Sequence, residues 1–331
     1  MQRRLRTGQE RDIETGNRFY QRRKMIHKRV SLLFLFLLAS LLLNAITVEK
    51  ETRLFAMKEG IELKMDLYRS DSASVLPQPC LIFVFGGGFK EGERDAALYH
   101  SYYHYFAERG FTVAAIDYRL GMKGEKAPGM LNYKPLLNAI HMAVEDLFSA
   151  TGYLLEHADE LHIDPSLIVI SGSSAGAITV LQGDYMKQNG HPRAKGLPES
   201  FRYAGVISFA GGIFSTEGLP SYKKPPAPTL FFHGSADRLV PYNKTGLFHL
   251  GMYGSRQLVK RFRQDRYPFT FYSIEDVGHE MSEYPMQEYL PEIEQFINDL
   301  VLDRKQWMTE IHHKDLLRQS DSSDTPANYY N

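Results

Sequence analysis

The sequence contains a single cysteine, Cys80, among its 331 residues. One cysteine cannot form a disulfide within the chain, so an apolar core rather than covalent cross-links must hold the fold together. A hydrophobic content of 43% in a chain of this length supplies such a core. No cysteine follows the long apolar run near the N-terminus, which argues against a lipid-anchored lipoprotein. Cys80 itself begins an apolar segment, and we therefore expect its thiol to be buried.

Net charge is also absent, because 39 basic and 39 acidic side chains cancel. The cancellation hides an asymmetry, since residues 1–29 hold ten Lys or Arg against three acids. The rest of the chain holds 29 basic and 36 acidic side chains. A mildly acidic body has no general attraction for nucleic acid, which is therefore not expected as a partner.

Only one long apolar run occurs, between residues 30 and 48, and a basic stretch precedes it. Leu32 to Leu43 are almost wholly apolar, and small or polar residues follow near Ala45. This order is typical of a secretory signal peptide, although the run is also just long enough for an uncleaved membrane anchor. We expect residues 1–48, read from Met1 or from Met25, to direct export to the periplasm or the cell exterior. Membrane contact is expected only through this segment, if it is not cleaved.

From residue 51 onward, short apolar segments alternate with stretches of helical periodicity. Residues 52–69 alternate around Glu59 and Gly60 and predict a hairpin. Further strands are predicted at 80–85, 111–120, 167–171, 204–210, 229–234 and 269–274, and helices at 95–109, 137–157, 175–187, 244–254 and 284–301. The alternation predicts an α/β fold with a mostly parallel central sheet, helices on both faces and the hairpin as an antiparallel edge. This domain is expected to span 49–302, and the polar residues 303–331 are expected to form a frayed tail.

The segment "VISGSSAGA" (169–177) places Ser174 between Gly172 and Gly176, directly after a predicted strand. The spacing G-x-S-x-G allows a sharp turn from strand to helix that exposes a serine hydroxyl above the sheet. Small residues are also common at ordinary turns, so the pattern alone does not distinguish a nucleophile from a simple helix start. The distinction depends on whether a base and an acid follow at other strand ends.

Suitable partners do follow in the chain. Asp237 lies after the strand "TLFFHG", and His279 lies in the loop after the strand "FTFYSI". The order Ser, Asp, His is the order of an α/β-hydrolase triad, in which the histidine activates the serine and the acid orients the histidine. Asp276 is an alternative acid, but it lies only three residues before His279 in the same loop.

Three consecutive glycines, Gly86, Gly87 and Gly88, follow the strand that begins at Cys80. A backbone without side chains lets N–H groups approach a carbonyl oxygen and hold it as it becomes an oxyanion. The N–H of Ala175, next to the presumptive nucleophile, would be a second donor. The glycines do not form a phosphate-binding loop, because no G-x-x-x-x-G-K-[ST] pattern follows.

Over about residues 52–300 the chain resembles the hormone-sensitive-lipase-like carboxylesterases of the α/β-hydrolase superfamily, including bacterial acetyl-esterases and carbohydrate-esterase-type members. The segments that carry the resemblance are "FGGGF" (85–89), "DYRL" (117–120), "IDPSLIVISGSSAG" (163–176), "HGSADRLVP" (233–241) and "GHEM" (278–281). The resemblance implies Ser174 as nucleophile, Asp237 as acid and His279 as base. It also implies Gly86, Gly87 and Ala175 as oxyanion donors. The group usually has histidine before the glycines, where this chain has Phe85, so an imidazole hydrogen bond is lost there.

These parts predict a serine hydrolase that needs no metal or organic cofactor. Two short connections, 121–136 and 212–227, are expected to lie over the site. They favour small carboxylic esters with short acyl groups, acetylated carbohydrates among them, as substrates. Two other functions stay open: a serine exopeptidase of the dipeptidyl-peptidase type, and a non-catalytic binding protein on the same scaffold. The sequence does not indicate an oligomeric state.

Several polar residues have structural interpretations. His100 and His104 have the spacing of a metal-binding pair, but no third ligand is evident, and an aromatic packed helix is the preferred interpretation. His233 is expected to support the Asp237 loop. Glu145 and Asp146 are expected to lie on a solvated helix face or to cap a loop.

Overall fold

The computed structural model describes residues 25, 28–29, 47–71, 76–129, 131–316, 318 and 323–330. The chain divides into two units, Met1–Thr47 and Val48–Asn331. Residues 30–46, which make up most of the predicted apolar run, lie outside the described residues. Within the described residues, no helix is both long and apolar enough to cross a membrane.

A large sheet forms the centre of the second unit. The strands of this unit are, in chain order, β1 (Val48–Lys58), β2 (Ile61–Ser70), β3 (Gln78–Val84), β4 (Thr112–Ile116), β5 (Ile163–Ser173), β6 (Gly205–Phe209), β7 (Gly212–Ser215), β8 (Thr229–Gly234), β9 (Lys244–Leu247), β10 (Leu250–Gly254), β11 (Phe269–Ile274) and β12 (Met308–His313). Nine of them form one sheet in the order β1-β2-β4-β3-β5-β6-β8-β11-β12. The pairs β1–β2 and β2–β4 are antiparallel, and the other pairs are parallel. The predicted parallel sheet with an antiparallel hairpin at its edge is confirmed.

Helices cover both faces of this sheet. They are α1 (His100–Ala107), α2 (Lys134–Glu156), α3 (Ala175–Gln188), α4 (Ser255–Asp265), α5 (Pro285–Glu288), α6 (Leu290–Phe296) and α7 (Pro326–Tyr330), and a π-helical turn at Ile297–Leu302 follows α6. Helix α2 packs on α3, and α1 packs on α5. Because both faces are covered, strands β4, β6 and β8 are buried along their whole length. Cys80 is buried as expected, and burial raises the pKa of its thiol.

Two expectations about local structure are wrong. Residues 244–254 are predicted as a helix, but they form the hairpin β9–β10, which pairs with β7 in a separate three-stranded sheet. The tail beyond Asp303 is predicted to be frayed, but Met308–His313 forms the parallel edge strand β12 beside β11. Its residues are partly exposed and polar, so no apolar run indicated a strand.

Asp146 is fully buried rather than on a solvated face, which leaves the loop-capping alternative of the two that the sequence offered. Its carboxylate accepts hydrogen bonds from the backbone N–H of Arg119, at 2.8 Å, and from the Arg119 guanidinium, at 2.9–3.1 Å. Lys58 Nζ lies 2.9 Å from the same carboxylate. Asp146 therefore holds the segment after β4 onto helix α2, as a loop-capping residue does.

We predict that Arg119→Met lowers the free energy of unfolding by about 3 kcal/mol, because it leaves the buried Asp146 carboxylate with only part of its compensation. Urea denaturation followed by circular dichroism measures the loss. The control is Lys64→Met, which breaks the exposed pair with Glu62 and should cost only about 0.5 kcal/mol. Equal losses for the two variants would contradict the structural role of the Arg119–Asp146 pair.

Candidate active site

Ser174 lies at the sharp turn between strand β5 and helix α3. Its backbone has φ +51° and ψ −112°, a region that a residue with a side chain rarely occupies. A Cβ atom at Gly172 would lie 2.3 Å from the Gly176 carbonyl carbon, and one at Gly176 would lie 1.9 Å from the Val84 oxygen. Only glycine therefore fits at either flank. The turn presents Ser174 as the G-x-S-x-G spacing predicts.

His279 approaches Ser174 from the loop after β11. It begins a 3-10 turn at His279–Ser282, and its Nε2 lies 2.7 Å from Ser174 Oγ. Its Nδ1 lies 2.7 Å from Asp237 Oδ2. Since a carboxylate only accepts, Nδ1 carries the hydrogen and Nε2 is free to accept the serine proton. The structure thus brings the three predicted residues into one hydrogen-bonded chain.

Asp237 is held by more than His279. Its Oδ1 accepts the backbone N–H groups of Leu239 and Val240 at 2.9 and 3.0 Å. Its Oδ2 also lies 3.2 Å from His233 Nε2. Burial acts to raise the pKa of this carboxyl, but the facing imidazoles of His279 and His233 outweigh it and hold the pKa well below its usual range. Asp237 is therefore an ionised carboxylate fixed against the imidazole of His279.

His233 supports this loop, as expected from the sequence. It is fully buried, and its Nε2 faces both Asp237 Oδ2 and the Val240 carbonyl oxygen, the latter at 3.1 Å. Its Nδ1 lies 2.8 Å from Ser255 Oγ, at the start of helix α4. Because Nε2 faces two oxygens, it carries the ring hydrogen, and Nδ1 accepts from the serine hydroxyl. The ring thereby links the acid loop to α4.

Asp276, the alternative acid, has a different environment. Its carboxylate pairs with Lys314. The Asp276 side chain is 63% exposed, whereas that of Asp237 is fully buried. The structure therefore favours Asp237 as the partner of His279.

The glycine loop differs from the prediction at its first position. The Gly86 N–H donates to the hydroxyl of Tyr99 at 3.1 Å, so it is committed to a buried phenol rather than to the site. Gly88 and Ala175, by contrast, line the pocket beside Ser174. The Gly86 N–H is therefore engaged by Tyr99 in this geometry, Gly87 and Ala175 stay predicted donors, and Gly88, the third glycine of the predicted loop, lines the pocket.

Phe85 occupies the position where similar carboxylesterases usually have histidine, and it makes an aromatic contact there. Its ring centroid lies 4.4 Å from that of Tyr118, in the "DYRL" segment. The Tyr118 hydroxyl lies within hydrogen-bond distance of the carbonyl oxygens of Phe85 and Gly86, at 3.2 and 3.3 Å. The buried Tyr118 therefore packs against the start of the glycine loop and stabilises it.

A cavity of about 180 Å³ opens beside Ser174. Its lining is mainly apolar, with contributions from Phe89, Leu136, Ile178, Phe214, Val240 and Met252. Arg238 is the single charged side chain among the described lining residues. The connection 121–136 contributes to the lining as expected, but 212–227 contributes only through Phe214. The sequence analysis missed two other walls, the β9–β10 hairpin and helix α7.

Comparison with known proteins agrees with this fold. The BD-FAE family model matches residues 65–212, which include the glycine loop and Ser174. Lipase 2 of Moraxella sp. (strain TA144) is 28% identical over 138 residues, which are 40% of this chain and 28% of that protein. Esterase B1 of Culex pipiens is 25% identical over 126 residues, 36% of this chain and 21% of that protein. The matches thus span less than a third of these relatives' lengths.

Solved structures show the same fold. The propionate complex of a thermophilic esterase from Thermogutta terrifontis, Est2, superposes with a TM-score of 0.57 at 20% identity, over 76% of this chain and 94% of that one. Its apo form gives 0.56 at 22% identity, over 77% and 94%. The chain therefore has the α/β-hydrolase fold. Its similarity is to esterases and lipases, and its residues 65–212 match the BD-FAE family model.

Proposed function

We propose that the protein is a serine hydrolase of carboxylic esters. The observation that carries the proposal is the chain of contacts from Ser174 Oγ through His279 to Asp237, with both distances at 2.7 Å. The names of the relatives, a lipase and two esterases, support the same reaction class. A structure of Thermogutta terrifontis esterase 2 phosphorylated by paraoxon shows that a protein of this fold reacts with an organophosphate.

The geometry supports a two-step reaction. His279 Nε2 takes the Ser174 proton as Oγ attacks the ester carbonyl carbon, and the carbonyl oxygen becomes an oxyanion. The amides of Gly87, Gly88 and Ala175 are the proposed donors to that oxyanion, with the N-terminus of α3 adding its positive dipole end. His279 then protonates the departing alcohol, which leaves an acyl group on Ser174. Water then enters, gives a proton to His279 and attacks the acyl carbon; the bond to Ser174 Oγ breaks, His279 returns the proton to Oγ, and the carboxylic acid leaves.

The cavity favours a short acyl group. Its volume of about 180 Å³ and its apolar lining suit a small hydrocarbon chain rather than a charged one. Complexes of the Thermogutta terrifontis esterase with propionate and butyrate give examples of short acids held by this fold. Esters of short acids are therefore the proposed substrates, and an acetylated carbohydrate as the alcohol part stays a prediction.

The two alternative functions are less well supported. A dipeptidyl-peptidase-type enzyme must hold the charged α-amino group of its substrate, for which a carboxylate is the natural partner. The described lining of the cavity contains no carboxylate side chain. A non-catalytic binding protein would not need the three residues in hydrogen-bonded register, and here they are in register.

Replacing Ser174 with alanine should abolish hydrolysis of p-nitrophenyl acetate and labelling by a fluorophosphonate reagent. The change removes one hydroxyl, so the free energy of unfolding should change by less than about 1 kcal/mol. The matched control is Ser166→Ala, which alters an exposed serine near the start of β5 that is bonded to Asp164 and should leave both signals intact. Near-wild-type turnover in the Ser174→Ala protein would refute the nucleophile assignment.

Replacing Asp237 with asparagine should lower kcat by about four orders of magnitude, because the amide stabilises the wrong imidazole tautomer. Asp276→Asn is the matched control, because Asp276 pairs with Lys314 at the surface, and it should retain most activity. Steady-state rates on p-nitrophenyl acetate decide between them. The reverse ranking would move the acid to Asp276.

We also propose that residues 1–48 direct export, on the basis of their basic flank and apolar run. A protein lacking residues 1–48 should stay in the cytosol of an expressing bacterium and remain active on p-nitrophenyl acetate. Cell fractionation with activity assays on each fraction measures this. Full-length protein found in the cytosol with its leader intact would contradict the proposal.

A further inference from the structure

The end of the described chain lies against the glycine loop of the site. Helix α7 (Pro326–Tyr330) supplies Pro326, Tyr329 and Tyr330 to the wall of the cavity that contains Ser174. The sequence separation is large, since Tyr330 lies more than 150 residues beyond the serine. A part of the chain outside the predicted domain 49–302 therefore completes the substrate pocket.

Specific polar contacts hold this segment in place. The Tyr330 hydroxyl donates to the Gly88 carbonyl oxygen at 2.7 Å, and the Tyr329 hydroxyl donates to Glu91 Oε1 at 3.1 Å. Lys90 Nζ donates to the Tyr329 carbonyl oxygen at 2.5 Å. The same ammonium lies 4.6 Å from the Tyr329 ring centroid and 5.5 Å from that of Tyr330, within cation–π range. The glycine loop and the two rings are thus joined by both hydrogen bonds and charge.

Local contacts also fix the conformation of the segment that carries the two tyrosines. Asn328 Oδ1 accepts from the N–H and the hydroxyl of Thr325, at 2.6 and 2.9 Å, which fixes the turn that carries the two tyrosines. Gly88 provides the space on the other side, because a Cβ atom there would lie 2.5 Å from Tyr329 Cε1. Close packing and local hydrogen bonds together define the position of both rings.

We propose that Tyr329 and Tyr330 are specificity-determining residues that close one side of the pocket and limit the length of the acyl group. The proposal rests on the proposed function, since it concerns the substrate of the same site. Two anchored aromatic rings form a wall that cannot yield without breaking their contacts to Gly88, Lys90 and Glu91. An acyl chain longer than the cavity would have to displace them.

The test uses the full-length chain with both tyrosines replaced, Tyr329→Ala and Tyr330→Ala. The quantity measured is the ratio of kcat/KM for p-nitrophenyl octanoate to that for p-nitrophenyl acetate. The ratio should rise about tenfold, the effect of roughly two additional methylenes leaving water. The corresponding Tyr→Phe double variant keeps both rings but loses the hydroxyl bonds to Gly88 and Glu91, so its ratio should rise by a smaller factor than in the double alanine variant. The matched control is Tyr105→Ala, which removes a tyrosine of α1 that pairs with Glu294 away from the pocket and should keep the wild-type ratio.

A second variant guards against a folding defect in the double alanine protein. Lys90→Met leaves both rings in the chain but removes the ammonium that holds them, and it should raise the ratio in the same direction by a smaller factor. An unchanged ratio in both proteins would overturn the proposal. An equal increase for all esters would also overturn it, because it would mean a general obstruction rather than a size limit.

The proposed function is judged separately from this ratio. Wild-type hydrolysis of p-nitrophenyl acetate reports on the function, whereas only the comparison of chain lengths among variants reports on the wall. A wild-type protein that hydrolyses neither ester and resists fluorophosphonate labelling would overturn both proposals. An active wild type with an unchanged ratio would overturn only the second.

Discussion

The site depends on the close approach of helix α3 to the end of strand β3. A Cβ atom at Gly176 would lie 1.9 Å from the Val84 oxygen, so the first turn of α3 rests directly on the strand that leads into the glycine loop. This contact fixes two active-site elements at once, the Ser174 turn and the segment from Phe85 to Gly88. Ser174 occupies its strained backbone conformation because the sheet on one side and the helix on the other leave it no alternative.

Electrostatic interactions fix the third element of the site, the loop that carries Asp237. Asp237 is buried, yet two backbone N–H groups and two imidazoles surround its carboxylate. Because its pKa is lowered in the folded chain, the carboxylate stabilises the fold above the unfolded pKa of about 3.9. That contribution is lost as the pH falls through the lower folded value. The contacts that stabilise the Asp237 carboxylate also orient His279. The same interactions therefore contribute to folding stability and to the position of the imidazole.

The sequence predicts the sheet and the spatial grouping of Ser174, Asp237 and His279 because both depend on short local signals. Buried strands read as apolar runs, and Ser174, Asp237 and His279 each follow one. Prediction from the sequence fails where the local pattern is weak or where the structure depends on distant residues. Residues 244–254 have apolar residues at helical spacing, but pairing with β7 makes them a hairpin. Strand β12 is a polar edge, and nothing in the local sequence shows that the Gly86 N–H would be taken by Tyr99.

The pocket walls form the least predictable part, since they come from segments with no common pattern. The cavity is enclosed by the 121–136 connection, the β9–β10 hairpin and α7, which are far apart in the chain. Surface connections tolerate changes in length and composition better than the elements they connect. The residues proposed for catalysis therefore lie at the ends of the sheet strands, whereas the segments around them determine which substrates the pocket accepts. In this chain α7, the most distant of those segments, contacts the glycine loop itself. The position of α7 is therefore coupled to that of the glycine loop beside Ser174.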